Sequence, residues 1–215
     1  MFCRQRKLPA FCFLCYVGVG GGLFAPKQIL IMPCNRDTIS STNLNLTEEE
    51  KMMHLEKIDA KTLWDVVCLE LEEEQKEFVP SNEISIAQAY TAIGTDCSVF
   101  PFGIYDDEKN VGFLMIAFNL STLYELEGGY IPEVLKNNYC LWRLMIDKDY
   151  QKRGYGREAV KLALEFIRTW PCGKAEYCAL SYEPWNEAAK KLYASFGFVE
   201  NGEVDGDEVV AVLKL

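Results

Sequence analysis

Tyr139-Cys140-Leu141-Trp142-Arg143-Leu144-Met145-Ile146-Asp147, then Lys148-Asp149-Tyr150, then Gln151-Lys152-Arg153-Gly154-Tyr155-Gly156 and a run from Arg157 to Trp170, is the stretch that decides the fold. Its opening is short, apolar and β-prone, which predicts a buried strand. Its end carries Ala159, Val160, Ala163, Phe166, Ile167 and Trp170 at three- and four-residue steps. Glu158, Lys161, Glu165 and Arg168 recur on the opposite face, which predicts an amphipathic helix. A strand, a glycine loop and a helix N-terminus make an anion site. The first N–H groups of the helix have no partner inside it, and the helix dipole adds positive potential there. Gly154 and Gly156 let phosphate oxygens approach the backbone, and Lys152, Arg153 and Arg157 add charge. The two glycines alone fit a plain turn equally well. The stretch lacks both the Gly-Lys-Ser/Thr of one common phosphate loop and the third glycine of the dinucleotide fingerprint.

Outward from this stretch, the chain of 215 residues is 49% apolar and 25% charged, which suits one globular domain with a full core. The net charge of −10 is unevenly spread: residues 1–46 carry five Lys/Arg against one Asp, and everything acidic beyond that follows Thr47. An acidic domain excludes nucleic acid as the expected partner and suits a cationic substrate. Residues 1–46 differ from the rest. Arg4, Arg6 and Lys7 precede an apolar run from Leu8 to Ala25 that is broken by Pro9, Gly18, Gly20, Gly21 and Gly22. The run is too interrupted for a spanning helix, and Leu23-Phe24-Ala25 lacks the small residue of a cleavage site. The segment is expected to be a disordered or non-native extension upstream of a start near Met52 or Met53, with no membrane partner. Nine cysteines are scattered; Cys12-x-x-Cys15 has no second pair, so no metal is expected. Those after Met52 read as small core residues in a reducing, cytoplasmic setting. His54 is the only histidine, and nothing positions it for a hydrolase.

From Met52 the pattern predicts a strand to Ile58 and a helix over Ala60–Leu71. An acidic cluster of Glu70, Glu72, Glu73, Glu74 and Glu77 follows, then a helix over Ile84–Ala92. Ser98–Tyr105 and Val111–Asn119 read as strands, and Leu120–Asn138 as irregular with room for a short helix. After the central stretch come a strand over Ala175–Ser181, a helix over Asn186–Phe196 capped by Asn186, and a hairpin across Asp205-Gly206. That order predicts a single α/β domain with a mixed sheet and helices on both faces.

Two motifs carry a resemblance. Gln151-x-x-Gly154-x-Gly156, after an apolar strand and before an amphipathic helix, resembles the Gln/Arg-x-x-Gly-x-Gly/Ala pyrophosphate loop of the GNAT acetyltransferase superfamily. Asn186-x-x-Ala189-x-x-Leu192-Tyr193-x-x-x-Gly197-Phe198 resembles a second segment of the same family at every marked position. The likeness covers Met52 to Leu215. Within the superfamily the chain is similar to bacterial spermine/spermidine (diamine) N-acetyltransferases. That likeness rests on Leu71 through Gln75-x-x-Phe78-Val79-x-x-Asn82 to Tyr90, on Leu141–Asp147, and on Tyr182-Glu183-Pro184-x-Asn186.

The resemblance implies a mostly antiparallel GNAT-type sheet in residues 52–215 and an acetyl-CoA-dependent N-acetyltransferase acting on a small-molecule amine. Acetyl-CoA is then a co-substrate, and the reaction needs no metal. Backbone groups of Leu144, Met145 and Ile146 would meet the thioester and pantetheine, and Gln151, Lys152, Arg153, Gly154, Tyr155, Gly156 and Arg157 the pyrophosphate. Asn186 would bond the pantetheine arm, and Tyr193 would protonate the leaving thiolate as general acid. Tyr193 also lies on an apolar stripe with Ala189, Leu192 and Phe196, where a core aromatic would serve. Glu72 and Glu73 are the expected readers of spermidine or spermine. No base is evident, with Glu125, Glu127 and Asp147 as candidates. Acetylation of another amine (an aminoglycoside, an amino acid, a protein N-terminus) and a CoA-binding regulatory module without turnover are the competing readings. A homodimer is compatible with any of them.

Overall fold

The structure is a computed structural model and describes residues 53–127 and 130–215; residues 1–46 lie outside the described residues. Its seven strands form one sheet in the order β1-β2-β3-β4-β5-β7-β6. They are β1 (Met53–Lys57), β2 (Ser98–Asp106), β3 (Lys109–Phe118), β4 (Tyr139–Ile146), β5 (Tyr177–Tyr182), β6 (Val199–Asp205) and β7 (Glu208–Lys214). Every neighbouring pair is antiparallel except β4 and β5. The expected mixed, mostly antiparallel sheet is therefore present. β3 is an interior strand: Val111 to Ala117 are buried without a break, as a strand covered on both faces must be.

The helices are α1 (Leu63–Val67), α2 (Asn82–Thr91), α3 (Ser121–Glu127), α4 (Tyr155–Arg168) and α5 (Glu187–Ala194). On one face α4 buries Ala159, Val160, Ala163, Leu164 and Ile167 against Ile104, Leu114, Ile116 and Leu141. On the other face Val66 of α1 packs with Phe113, Met115 and Met145, joined by Ile86 and Ala89 of α2. Leu120 and Leu123 pack beside them with Ala117, Cys140 and Ala179.

Two departures from expectation have physical causes. The helix expected over Ala60–Leu71 shrinks to five residues. Its intended last turn is drawn out of the helix: the Glu70 N–H donates to Asp147 Oδ2 at 2.9 Å, and the Glu70 carbonyl accepts from the Lys148 N–H at 2.8 Å. The glutamates that follow would also repel one another on a helix surface. The central helix starts two residues before Arg157, because Gly154 takes the left-handed conformation (φ 89°) and serves as its N-cap.

β4 carries an irregularity that matters for the site. Met115 pairs with Arg143 and Ile116 with Leu141, so Trp142 is an extra residue, a β-bulge. The bulge reverses the alternation of the strand. Tyr139 and Leu141 face α4 before it, and Leu144 and Ile146 face α4 after it, while Trp142 and Met145 face α1 and α2.

Candidate active site

β4 and β5 begin as a parallel pair and separate at once: only Tyr139 with Cys178 and Cys140 with Ala179 are in register. The gap opens into a cleft of about 610 Å3, a size that suits a small-molecule site. Backbone direction alternates along a strand, and here it can be assigned. The Asp147 N–H donates to Val111 on β3, and a Cβ at Gly112 would lie 2.5 Å from the Met145 carbonyl, so residues 145 and 147 turn their polar groups to β3. Leu144 and Ile146 therefore present theirs to the side that β5 has left. The three residues expected to meet the thioester divide accordingly: Leu144 and Ile146 offer backbone to the cleft, and Met145 offers a side chain that accepts from Asn82 Nδ2 at 3.9 Å.

The glycine loop lies at one end of this cleft. Gln151 and Gln75 exchange side-chain amide bonds of 2.7 and 3.0 Å, and Gln151 Nε2 also donates to the Ile146 carbonyl at 3.0 Å. Gln151 therefore pins the loop to the end of β4 and to the segment before α2. Asp147 adds a clamp, accepting from the N–H groups of Glu70 and Asp149. The first bonds of α4 run from the Arg157 and Glu158 N–H groups to the Gly154 carbonyl, so the Gly156 N–H stands ahead of the ladder. Lys152 and Gly156 line the cleft. The other expected anion contacts turn elsewhere. Arg153 lies over the Tyr150 ring, Arg157 donates to Ser195 Oγ at 2.9 Å, and the Tyr155 hydroxyl donates to Asp106 within the fold. The Tyr155 ring is a core group.

α5 borders the middle of the cleft. Asn186 caps it through Oδ1, which accepts from the Ala189 N–H at 3.0 Å, and the residue lines the cleft with no partner for its amide nitrogen among the described residues. Tyr193 is at once a packed aromatic and a residue of the cleft wall. Its ring packs against Tyr182 and Phe198, with centroids 6.0 and 5.9 Å away, and it is also a lining residue of the cleft. Its hydroxyl has no partner among the described residues. Burial, and then the nearby Cys140 and Glu208, push the phenol well above its ordinary value, so it is neutral and able to donate.

The far end of the cleft holds groups that sequence reasoning did not single out. Glu183, Asp205 and Glu208 line it together with Arg143 and Tyr124. Asp205 Oδ2 accepts from the Tyr124 hydroxyl at 2.8 Å, and a Glu208 carboxylate oxygen accepts from the Ser181 hydroxyl. One oxygen of Glu183 is buried with no partner. The Arg143 guanidinium donates to the Trp142 carbonyl at 2.8 Å and to Gln88 Oε1 at 3.2 Å, and its Nε is buried without a partner. By contrast Glu72 and Glu73, the expected substrate readers, are exposed and are not lining residues; Glu73 pairs with Lys76 instead. Of the expected bases, Asp147 is committed to its clamp and Glu125 is exposed away from the cleft. The Glu127 side chain lies outside the described residues. The missed carboxylates come from the end of β5 and from the β6–β7 hairpin. The one available signal was Glu208 at the start of a strand, heading the apolar run Val209 to Leu213.

Taken together, these parts can move an acyl group from a long phosphorylated carrier, held along β4 and the loop, to a nucleophile arriving from the acidic end. The chain belongs to the acetyltransferase (GNAT) family, whose model matches residues 64–198. It is an acetyl-CoA-dependent N-acetyltransferase of the GNAT fold. Two Bacillus subtilis proteins are each 28% identical over 148 residues, covering 67% of this chain and 88% of their own length. The protein of strain 168 is named spermine/spermidine N(1)-acetyltransferase. The crystal structure of spermidine N-acetyltransferase from Vibrio cholerae, in complex with CoA and spermine, matches the fold with a TM-score of 0.52 and 16% identity. It covers 76% of this chain and 94% of that one. No helix among the described residues is long and apolar enough to cross a membrane.

Proposed function

We propose that this protein acetylates a primary amine of a polyamine, spermidine or spermine. The observation that carries the reading is the far end of the cleft, where Glu183, Asp205 and Glu208 stand against the single guanidinium of Arg143. The excess of acid suits an amine whose remaining ammonium groups must be held while one is acetylated. The name of the Bacillus relative agrees with this reading.

Leu144 and Ile146 run beside the pantetheine arm, and an N–H of this strand takes up the charge that develops on the thioester carbonyl oxygen. Asn186 donates its amide to the same arm. Lys152 and the N–H groups of Tyr155 and Gly156 meet the pyrophosphate, with Gln151 holding the loop in shape. Fixing both reactants in one cleft makes the encounter nearly unimolecular. Tyr193 gives its proton to the leaving thiolate. The catalytic unit is assigned to residues 52–215, so a protein beginning at Met52 should keep the turnover and melting temperature of the full chain.

The test is thiol release from acetyl-CoA with spermine, spermidine, a monoamine, an aminoglycoside and an N-terminal peptide as acceptors. The polyamines should give the highest kcat/KM, with a KM that rises as salt is added. A monoamine or aminoglycoside preferred at all salt concentrations would sink the polyamine reading.

A further inference from the structure

Acetyl transfer to an amine needs a group that takes a proton. An ammonium ion has a pKa of about 10 and no free electron pair until it loses one. We infer that Glu208, held by the Ser181 hydroxyl at the acceptor end of the cleft, is the general base of this protein. The inference rests on the acetyltransferase reading and holds for whichever amine is the substrate.

Three observations carry it. Glu208 begins β7, in the same sheet as β5, where Ser181 lies just beyond the point at which β4 and β5 part. It thus stands beside the opening through which an acceptor must reach the thioester. Ser181 engages one carboxylate oxygen, and the other has no partner among the described residues, so one lone pair is oriented and one is free. The two other carboxylates of the cleft are less suited. Asp205 is held by the Tyr124 hydroxyl of α3 and one Glu183 oxygen is buried with no partner among the described residues, whereas Glu208 alone is held by Ser181, beside the point where β4 and β5 part.

The groups around Glu208 belong to every element that faces it: Ser181 and Glu183 from and after β5, Asp205 from β6, Arg143 and Cys140 from β4, Tyr124 from α3 and Tyr193 from α5. Burial first, then Asp205 and Glu183, raises the Glu208 carboxyl above the ordinary glutamate value, while Ser181 and Arg143 hold it down. A carboxylate so raised is a better base than a free one. Glu208 is also among the charges that raise the Tyr193 phenol. Once Glu208 has taken a proton that charge is gone, and Tyr193 becomes the stronger acid as the thiolate leaves.

The protons balance. An ammonium loses two on becoming an amide. The first goes to Glu208, and the freed lone pair forms the N–C bond. The C–S bond breaks and the thiolate takes its proton from Tyr193 while Glu208 is still protonated. Glu208 then releases its proton to solvent, and the second proton from nitrogen passes through it to restore the phenol.

The experiment is the pH dependence of kcat/KM by thiol release, with the amine that the wild-type protein turns over best. Wild type should show an acid limb. Glu208→Gln should lack that limb and lose roughly 10²–10⁴-fold in kcat, with acetyl-CoA affinity by calorimetry unchanged. Glu208→Asp should keep the limb at lower rate, which separates lost chemistry from lost folding. Ser181→Ala should move the limb to higher pH, since its hydroxyl favours the ionised form. Glu183→Gln should keep the limb and move it to lower pH, since its charge helps to raise the Glu208 carboxyl. A Glu208→Gln protein that keeps both the limb and turnover within threefold overturns the inference, as does loss of the limb in Glu183→Gln instead. A best amine that is not a polyamine would refute the polyamine reading and leave this test intact; wild-type protein releasing thiol with no amine overturns both.

Discussion

The two ends of the cleft are built in opposite ways. The end proposed for the acyl donor is made of backbone and of one continuous stretch, β4 through the start of α4, held by Asp147, Gln151 and the left-handed Gly154. The end that faces the acceptor is made of side chains from α3, β4, β5, β6 and β7, which meet only when the sheet has formed. The difference follows from what each must recognise. A pyrophosphate can be bound by N–H groups that any sequence supplies once its path is set. A particular amine needs carboxylates at particular separations, and these are drawn from wherever the fold brings them near.

The largest effect tests the point where the two ends meet. Tyr193→Phe keeps the ring that packs on Tyr182 and Phe198 and removes only the hydroxyl. Turnover should fall roughly 10²–10⁴-fold, the usual worth of a positioned acid, with acetyl-CoA affinity by calorimetry little changed. A variant within threefold of wild type would return Tyr193 to the core and assign thiolate protonation to solvent.

Next is the donor end. Gly154 has open space around a would-be Cβ, so the constraint at this position is its φ of 89° rather than a clash. Gly154→Val should cost about 1–2 kcal/mol of stability from backbone strain, read by denaturant titration. It should also raise the acetyl-CoA dissociation constant by distorting the N-cap of α4. Unchanged affinity in the folded variant would separate the loop from phosphate binding. Gln75→Ala is the milder form of the same test. It removes the amide pair with Gln151 and should cost about 0.5–1.5 kcal/mol and raise KM for acetyl-CoA more than KM for the amine.

The acceptor end makes a pH prediction. Folding raises the Glu208 carboxyl, so between the ordinary glutamate value and the raised one the folded chain holds a proton that the unfolded chain has released. Stability contributed by this group is present below the unfolded value and is lost as pH rises through the folded one. Glu208→Gln should therefore gain in stability relative to wild type on going from acid to neutral pH. Denaturant midpoints of the two proteins that run parallel across that range would show that Glu208 is not shifted by burial.

The smallest effect sharpens the boundary of the acceptor end. Glu72 and Glu73 lie outside the cleft, so replacing both by Gln should change KM for spermine less than twofold in 0.1 M salt, where exposed charges are screened beyond about 10 Å. A many-fold rise confined to spermine would extend the acceptor site onto that segment.

Among the groups of this site, those legible in the sequence were those whose role is local. The apolar run of β4, the paired glycines and the stripe of α4 declare a strand, a turn and a helix by period alone, and Asn186 through Phe198 declares a capped helix with its Gly stop. Composition misled where it was read for position. The glutamates from Glu70 to Glu77 look like a cation site, yet Glu70 is drawn into the clamp on Asp147 and Lys148, and its exposed neighbours are not part of the cleft wall. The bulge at Trp142 was also invisible, because an extra residue shows only against the partner strand that lacks it.

The sequence by itself determined the order of elements and the strand, glycine loop and helix at the centre of the chain, since hydrogen bonding within a few residues and burial of a periodic face do not depend on distant partners. Only the tertiary structure decided the rest. It parted β4 from β5 after two pairs, turned Leu144 and Ile146 toward the gap, and brought Glu183 to Asp205 and Glu208. Asp205 and Glu208 pair across their own hairpin, but Glu183 meets them only because β7 lies beside β5, and a local period does not say which strand a hairpin will join.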